Sequence, residues 1–392
     1  MTVKVRAATS VGLGGLSQAG AAEPASPGRR RSAPSGGSAA HEVASVGAKI
    51  LLVKLSSLGD VVHALPVLQD IHAALPGAQI DWVVEKSLVP VLALHAGLHR
   101  IIPCEIRRWR KSFWTAQTRT EWRAFKVQLQ QTPYDAVIDL QGLSKSALVA
   151  RLAHLAPGGK RYALANQTEG SGYEAPTRWV ADVAIRMVPH IHAVQRSREL
   201  AARALGYTLS SSPDFGLNRH KTLMGAASTA PESIVKNIVF VHGTSRADKE
   251  WPLAHWVALG QRFNAAGWQV ALAHGSAKEQ ATSQRIAQAL NQGNPQDNPQ
   301  SNPAHAVVWP LLALDALTEK LAQCAGVIGV DSGVSHIAVA LDLPHVQLYN
   351  FDTAWRTGPD AANGRQVSVF AQPAPSVDAV WQAWLGCNRM VL

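Results

Sequence analysis

Short unbroken apolar runs recur along the chain, and most of them precede a longer stretch whose apolar residues are spaced as on one face of a helix. The first run, Ile50–Val53, is bounded by lysines and predicts a buried parallel strand over 49–55. Residues Val61–Ala74 then predict a helix, in which Pro66 is out of place because proline disrupts a helix interior. This alternation is typical of an α/β protein with a parallel sheet covered by helices.

The alternation of strands and helices occurs twice. It runs through residues 49–207, disappears in a polar stretch at about 208–235, and starts again at Asn237. Such an interruption is typical of a linker, so we predict two doubly wound, Rossmann-like domains. The further predicted strands are 79–84, 100–104, 135–140, 237–241, 269–273, 306–308, 327–330, 345–348 and 366–370, and the further predicted helices are 87–95, 119–131, 143–154, 173–187, 193–206, 253–266, 277–290, 315–323, 334–341 and 376–386.

The domain boundaries follow from changes in composition. The start of the chain is rich in Ala, Gly, Ser, Pro and Arg, and cannot bury enough apolar surface to offset its ordering entropy. A low-complexity segment at 291–304 predicts a surface loop. We predict a disordered extension at 1–47, an N-terminal domain at 48–215, a linker at 216–235, a C-terminal domain at 236–372, and a last helix within 373–392 that packs back on the N-terminal domain.

The positive charge of the chain is unevenly distributed. The net charge is +10 over 392 residues, but seven Lys/Arg against two acids lie within residues 105–126 alone. That segment predicts an anionic partner. Three widely separated cysteines predict neither a disulfide framework nor a zinc site, so a reducing compartment is expected. No apolar run approaches the roughly 18 residues of a membrane span, and no signal peptide is predicted.

The first candidate site is the turn that follows the first strand. It contains Ser56, Ser57, Gly59 and Asp60, and ligand sites of open α/β sheets lie at the carboxyl edge where this turn falls. Asp60 is either a functional carboxylate at that edge or the cap of the following helix. The turn has neither the glycine fingerprint of dinucleotide sites nor that of P-loops.

Two further junctions in the second half suggest a site for phosphate. The turn after strand 237–241 contains Gly243, Thr244, Ser245 and Lys249, which together supply backbone, hydroxyl and cationic donors. A solvated turn with an exposed lysine is the alternative.

The second of these junctions opens a helix at Asp331, Ser332 and Gly333. Free backbone N–H groups at a helix start can bind an anion, although Asp331 can equally be a plain N-cap. Together the two junctions favour a nucleotide diphosphate between neighbouring strand ends. Glu279 could accept hydrogen bonds from ribose hydroxyls, but acids are favoured at helix starts in any case.

The basic segment contains four cations around a tryptophan, Arg107–Lys111. This composition suits nucleic-acid binding, recognition of a phosphorylated or carboxylated small molecule, or a merely solvated face. His190 and His192 have no carboxylate or cysteine at ligand spacing, so we predict no metal site there.

Five stretches in this order resemble the type I lipopolysaccharide heptosyltransferases, which are inverting glycosyltransferases of family 9 with the GT-B fold. The stretches are KLSSLGDVVHALP from Lys54, IRRWRK from Ile106, YDAVIDLQGLSKS from Tyr134, HGTSRADKEW from His242 and DSGVSH from Asp331. The resemblance extends from about Lys49 to Trp384 and favours type I over type II.

The resemblance implies transfer of L-glycero-D-manno-heptose from ADP-heptose to Kdo of Kdo2-lipid A, without a metal or other cofactor. It implies a cytoplasmic enzyme at the inner face of the inner membrane that binds no nucleic acid. By position, Asp60 and Lys249 match catalytic residues. The implied donor-binding residues are Thr244, Ser245, Lys249, Glu279, Asp331, Ser332, Gly333 and His336, and the implied acceptor-binding residues are Ser57, Gly59, Arg107, Arg108 and Lys111.

The sequence departs from the family pattern in two places. Ser245 and Ser332 stand where family members often carry threonine, a change that keeps the hydroxyl group. The segment after Leu348, YNFDTAWRTGP, differs from the usual loop of the donor pocket. A type II heptosyltransferase or another family-9 enzyme is the closest alternative. An NAD-dependent oxidoreductase is more remote, because the glycine fingerprint and the following ribose acid are missing.

Overall fold

The computed structural model describes residues 4–6, 47–209, 212–217, 236–292, 305–359 and 364–389. The predicted surface loop at 291–304 and the predicted linker lie almost entirely outside these ranges, as does most of the predicted extension. Within the extension, Lys4–Arg6 form a short strand, β1, which differs from the disorder expected there.

The first sheet contains six parallel strands in the spatial order β4-β3-β2-β5-β6-β7. The direction of chain progress therefore reverses between β2 and β5, and open α/β sheets bind ligands at the carboxyl edge of such a switch point. The strands are β2 (Lys49–Val53), β3 (Gln79–Glu85), β4 (Arg100–Cys104), β5 (Tyr134–Asp139), β6 (Leu155–Leu164) and β7 (Val183–Ile185).

Helices cover both faces of this sheet. Pro66 ends the predicted helix over Val61–Ala74 early, because the structure starts a second helix with the proline at its first position, where no N–H is needed. The helices are α1 (Leu58–Ala64), α2 (Pro66–Ala74), α3 (Val89–Ala93), α4 (Ile106–Lys111), α5 (Ala116–Gln130), α6 (Ser144–Leu152), α7 (Pro176–Val180) and α8 (Ala193–Leu205).

The sequence prediction missed the edge of this sheet. Strand β6 was not predicted, because Pro157, Gly158 and Gly159 give its first half the composition of a turn. The predicted helix at 173–187 is wrong over most of its length: α7 is one turn long, and Val183–Ile185 pair with β6.

The second sheet has the order β1-β13-β12-β11-β8-β9-β10, parallel except for β1, with a switch point between β8 and β11. Its strands after β1 are β8 (Asn237–Val241), β9 (Gln269–Leu272), β10 (Ala306–Val308), β11 (Gly326–Val330), β12 (His345–Tyr349) and β13 (Gln366–Phe370). Its helices are α9 (Leu253–Ala265), α10 (Ala277–Asn291), α11 (Leu314–Ala322), α12 (Gly333–Ala340), α13 (Ala354–Thr357) and α14 (Val377–Arg389).

The C-terminal helix packs differently from the prediction. We expected a helix within 373–392 to pack on the N-terminal domain, but α14 instead packs on β12, β13 and α9 of the C-terminal domain. The reason is a stripe of Val380, Trp384 and Cys387, which are buried in the core of that domain with Phe263. The apolar spacing predicted the helix but held no information about which domain its apolar face would cover.

The two domains meet where α1 and α12 abut. A Cβ atom on Gly59 would lie 2.7 Å from Cδ2 of His336, and one on Gly333 would lie 2.8 Å from the side chain of Leu58. The rings of His63 and His336 are 4.1 Å apart between centroids across the same contact. Both helices start at the switch point of their own sheet, so the two carboxyl edges face each other.

Candidate active site

Asp60 lies at the carboxyl edge of β2 and is held in a defined orientation. Ser57 is the N-cap of α1, and its backbone N and its Oγ donate to Oδ2 of Asp60 at 3.0 and 2.7 Å. The capping role considered from the sequence is therefore real. It uses only one carboxylate oxygen, and the other, Oδ1, lies 4.0 Å from Nζ of Lys54. Because the Asp60 side chain is still 39% exposed, it can also meet a ligand.

The charges of this pair depend on each other. Burial raises the pKa of Asp60, but Lys54 and the hydrogen bonds from Ser57 outweigh it and hold the pKa well below its usual range. Burial lowers the pKa of Lys54 to about 8, although Asp60 acts in the opposite direction. Lys54 also donates to the carbonyl oxygen of Leu140 at 3.0 Å, which ties it to the end of β5. Asp60 is therefore an ionised carboxylate at neutral pH.

A cavity of about 270 Å³ opens beside Asp60. Its wall includes two carboxylates, Asp60 and Glu169. The same wall includes five cations, so the net charge of the wall is positive and the cavity is suited to an acidic ligand. The cations are Lys54, Arg107, Lys145, Arg196 and Arg356.

Two of these cations converge on one hydroxyl group. Nη2 of Arg107 and Nζ of Lys145 donate to Oγ of Ser56 at 3.2 and 2.9 Å. A third, Arg196, is buried, and burial lowers its pKa although Asp60 acts against the shift. A negatively charged group in the cavity would be met by cations whose positions are already fixed.

The cations of the basic segment lie in two environments, the cavity and the protein surface. Arg107 reaches the cavity, whereas Arg108 pairs with Glu105 at 2.8 Å and also with Glu121. Lys111 is exposed at the end of α4, and neither Arg108 nor Lys111 is among the residues that line the cavity. Of the predicted acceptor-binding residues, the structure thus brings Ser57 and Arg107 together, and it places Gly59 against the other domain.

The second edge is built around Asp331, at the end of β11. Its Oδ2 accepts from Nζ of Lys249 at 2.6 Å, and its Oδ1 lies 3.3 Å from Nε2 of His336. Burial raises the pKa of Asp331, but His336 and Lys249 outweigh it and hold the pKa well below its usual range. Thr357 also donates to Oδ1 at 3.3 Å. Asp331 thus fixes Lys249 at the end of β8.

The remaining predicted donor residues surround this pair. Ser332, not Asp331, is the N-cap of α12, so the first turn of this helix begins two residues after Asp331, the partner of Lys249. Thr244 donates to the carbonyl oxygen of Asp331 at 3.4 Å, whereas Ser245 is exposed.

Glu279 reaches the same edge of the sheet. It accepts from the backbone N of Gly275 at 2.6 Å, and its carboxyl carbon would lie 2.5 Å from a Cβ atom on Gly243. The side chain therefore lies over the backbone at the end of β8. Glycine at position 243 leaves the room for this approach.

Sequence reasoning missed four of the cavity cations: Lys54, Lys145, Arg196 and Arg356. Lys54 and Lys145 fall inside the quoted stretches KLSSLGD and DLQGLSKS, so the pattern contained them without indicating that they face one cavity. Arg356 stands in the segment YNFDTAWRTGP, which differs from the family pattern, whereas Arg196 lies on α8 outside every quoted stretch. Arg196 belongs to the N-terminal domain together with Lys54, Arg107 and Lys145, and only Arg356 is brought to the cavity by the packing of the two domains.

Comparison with known proteins agrees with this geometry. The family model described as glycosyltransferase family 9 (heptosyltransferase) matches residues 122–382. Lipopolysaccharide heptosyltransferase 1 of Pseudomonas aeruginosa is 40% identical over 308 residues, covering 77% of this chain and 78% of that protein. The protein of the same name from Escherichia coli K12 is 36% identical over 303 residues, covering 77% and 87%.

The solved structures give the same result. The structure of E. coli heptosyltransferase WaaC with ADP matches with a TM-score of 0.73 and 32% identity, covering 85% of this chain and 98% of that one. Lipopolysaccharide heptosyltransferase 2 of E. coli K12 is more distant, at 25% identity over 338 residues. The predicted GT-B architecture is confirmed, and the chain belongs to glycosyltransferase family 9, the heptosyltransferases.

Proposed function

We propose that this enzyme transfers L-glycero-D-manno-heptose from ADP-heptose to Kdo of Kdo2-lipid A with inversion, the heptosyltransferase I step of lipopolysaccharide inner-core biosynthesis. The observation that carries the proposal is the position of Asp60. It is an ionised carboxylate on the wall of a cation-lined cavity, and its helix abuts the helix that begins at the Lys249–Asp331 edge. A base for the acceptor and cations for the donor thus face each other.

The donor would bind at the C-terminal edge. Lys249 and the backbone N–H groups at the start of α12 would contact the diphosphate, with Thr244, Ser245, Ser332 and His336 around it, and Glu279 would accept from the ribose. Support comes from the solved relative with bound ADP, which shares this fold and a third of its sequence. Asp331 holds Lys249, so the lysine is already in place when the diphosphate charge develops.

Asp60 would act as the general base. As the acceptor hydroxyl oxygen forms its bond to the anomeric carbon of heptose, its proton passes to Asp60. The bond from that carbon to the diphosphate breaks, and its electron pair leaves with ADP. Attack from the face opposite the leaving group inverts the anomeric centre. Because Oδ2 is engaged by Ser57, Oδ1 is the oxygen better placed to take the proton.

The acceptor would fill the cavity with its acidic groups. Kdo carries a carboxylate and lipid A carries phosphates, and Arg107, Lys145, Arg196 and Arg356 would meet them. Since lipid A is anchored in a bilayer, the enzyme would work as a peripheral protein at the cytoplasmic face of the inner membrane. None of the described helices is long and apolar enough to cross a bilayer.

The test is a transfer assay with two acceptors. Purified enzyme with ADP-heptose and Kdo2-lipid A should release ADP and give a product heavier by one heptose in a mass spectrum. Kdo2-lipid A that already carries the first heptose is the matched acceptor for a type II enzyme. Transfer to the second acceptor but not the first would contradict the proposal and assign the chain to type II. Since type II relatives are the more distant ones, we expect the first result.

A further inference from the structure

The turn between α4 and α5 presents two large aromatic side chains to solvent. Phe113 is 51% exposed and Trp114 is 88% exposed. Their rings contact each other edge to face, with centroids 5.8 Å apart. Single exposed apolar residues are normal, but two adjacent aromatic rings form a continuous apolar tip on a polar surface.

This exposure is a property of an ordered turn. Thr115 donates through Oγ1 to the carbonyl oxygen of Ser112 at 2.9 Å, and Ser112 and Thr118 are joined through their hydroxyl groups at 2.9 Å. Beneath the turn, Trp109 is buried and packs edge to face against Trp122, with centroids 5.7 Å apart. The segment thus buries Trp109 fully and Trp122 in part, and it leaves Phe113 and Trp114 exposed.

The aromatic tip is surrounded by cations. Within residues 105–126 the only acids are Glu105 and Glu121, and both pair with Arg108. The acids of this segment are thus engaged by one arginine. Four further cations on the two helices that flank the tip are exposed, Arg110 and Lys111 on α4 and Arg119 and Arg123 on α5.

Aromatic rings beside several cations suit either single-stranded nucleic acid or an anionic bilayer, and the neighbouring cavity proposed for a lipid acceptor favours the bilayer. Tryptophan and phenylalanine favour the boundary between lipid headgroups and acyl chains, and lysine and arginine next to a membrane are attracted to anionic headgroups. A cytosolic protein partner would be expected to offer acids against the cations, but it would not require aromatic side chains that project from a convex turn. The charge and shape of the tip therefore favour a bilayer over a protein.

The tip also lies close to the candidate acceptor cavity. Arg107, which lines the cavity, is in the first turn of α4, and Lys111 ends the same helix about 6 Å further along its axis. A lipid acceptor must leave its acyl chains in the bilayer while its sugar enters the cavity. A membrane contact next to the cavity wall satisfies both requirements.

We propose that the turn carrying Phe113 and Trp114 inserts into the headgroup region of an anionic bilayer, with Arg110, Lys111, Arg119 and Arg123 contacting lipid phosphates. This inference rests on the proposed function, because it identifies the surface by which the enzyme reaches a lipid acceptor. The contact would lower the KM for a bilayer-embedded acceptor and would leave the chemical step unchanged.

The direct test is flotation of the full-length protein with vesicles of phosphatidylethanolamine and phosphatidylglycerol. Replacing both aromatic residues, F113S/W114S, should lower vesicle binding about tenfold or more, because the apolar part of the contact is lost. Leu311, which is 68% exposed in the C-terminal domain, provides the matched control. Leu311→Ser should bind like the wild type. Vesicles of phosphatidylcholine alone should bind the wild type several-fold more weakly.

Activity separates this inference from the proposed function. F113S/W114S should keep wild-type turnover on a water-soluble, deacylated acceptor and should show a raised KM, with unchanged kcat, on acceptor in vesicles. If no transfer occurs with any acceptor but the variant still loses vesicle binding, the membrane contact stands and the proposed reaction fails.

Three results would overturn the membrane contact. The first is that F113S/W114S binds vesicles as strongly as the wild type does. A lowered melting temperature with equal losses on both acceptors would assign the turn a structural role. A wild-type dimer that F113S/W114S converts to monomer, without a change in vesicle binding, would show that a second copy covers the tip.

Discussion

Each domain places a lysine and an aspartate together at the carboxyl edge of its sheet, and the two pairs differ in which partner is more exposed. In the N-terminal pair, the Lys54 side chain is 2% exposed and Asp60 is 39% exposed. In the C-terminal pair, Lys249 is 23% exposed and Asp331 is 7% exposed. The first pair presents a carboxylate, and the second presents a cation.

The comparison shows how one fold can supply two opposite charges to one reaction. Both aspartates lie at a switch point of a parallel sheet, where the ligand site of such folds is expected. In both pairs the opposite charge offsets the cost of burial, so both carboxyl groups stay ionised. What differs is the partner that is shielded from solvent: Lys54 supports a base, whereas Asp331 orients a cation.

The largest expected effect comes from removing the exposed carboxylate. Asp60→Asn keeps an oxygen that can accept from Ser57 but removes the counter-charge of buried Lys54, so the cap should survive while the free energy of unfolding falls. Transfer should fall by about 10²–10⁴-fold, the usual contribution of a positioned general base. The check is a single-turnover transfer assay beside a melting curve. A variant that transfers heptose at the wild-type rate would leave Asp60 as a helix cap only.

Removing the exposed cation of the other pair should have the next largest effect. Lys249→Ala should slow transfer by about 10²-fold, because a fixed cation no longer meets the charge that develops on the diphosphate. Lys320 lies over the ring of Trp309 in the same domain, on the helix that leads into the amino end of β11, and Lys320→Ala is the control. Equal rates for the two lysine variants would mean that the donor site lies elsewhere.

The basic segment allows a sharper comparison between neighbouring arginines. Arg107→Ala should raise the KM for the acceptor about tenfold while ADP affinity stays unchanged, because a charge-assisted contact in the cavity is lost. Arg108→Ala should leave that KM within about threefold of wild type and slightly lower the melting temperature, since Arg108 pairs with Glu105 and Glu121. Steady-state kinetics of both variants would show which arginine faces the acceptor. A larger KM change for Arg108→Ala would contradict the structure of the cavity.

The smallest expected effect concerns the buried lysine. Lys54→Met removes the cation that holds the pKa of Asp60 down, so burial would raise that pKa. Asp60 must be ionised to accept a proton, and therefore the acid limb of the pH–rate profile should move to higher pH. At neutral pH the rate should fall less than about tenfold, since most Asp60 would still be ionised. Lys54→Arg keeps the charge and is the control, and a Lys54→Met profile that overlays the wild type would contradict the coupling.

The sequence predicted the elements well because most of them have unambiguous patterns. Buried apolar runs such as Ile50–Val53 and Asn237–Val241 became strands with bounds close to those predicted. The prediction missed strand β6 because its proline and glycines give it the composition of a turn. Its place in the sheet depends on pairing with β5 and β7, which are distant in sequence. The predicted packing of α14 was wrong because periodicity shows that a helix has an apolar face but not which domain that face packs against.

For the site, the sequence identified residues but not their orientation. Asp60, Lys249 and Asp331 could be selected because each follows a predicted strand, where parallel sheets gather ligands. Arg107 reaches the cavity and Arg108 does not, because Arg108 pairs with two acids of its own segment. No local pattern indicates which of the two neighbouring arginines is engaged in this way. Arg196 reaches the cavity from a distant helix of the same domain and Arg356 reaches it from the other domain, and no local pattern contains either approach.

The claim that the two pairs serve different substrates is tested most directly by calorimetric titration of ADP into Asp60→Asn and Lys249→Ala. If Asp60 faces the acceptor and Lys249 faces the diphosphate, Asp60→Asn should bind ADP within about threefold of the wild-type Kd. Lys249→Ala should bind it at least about tenfold more weakly. An equal loss in both variants, or a larger loss in Asp60→Asn, would contradict the assignment of base and donor cation to separate domains.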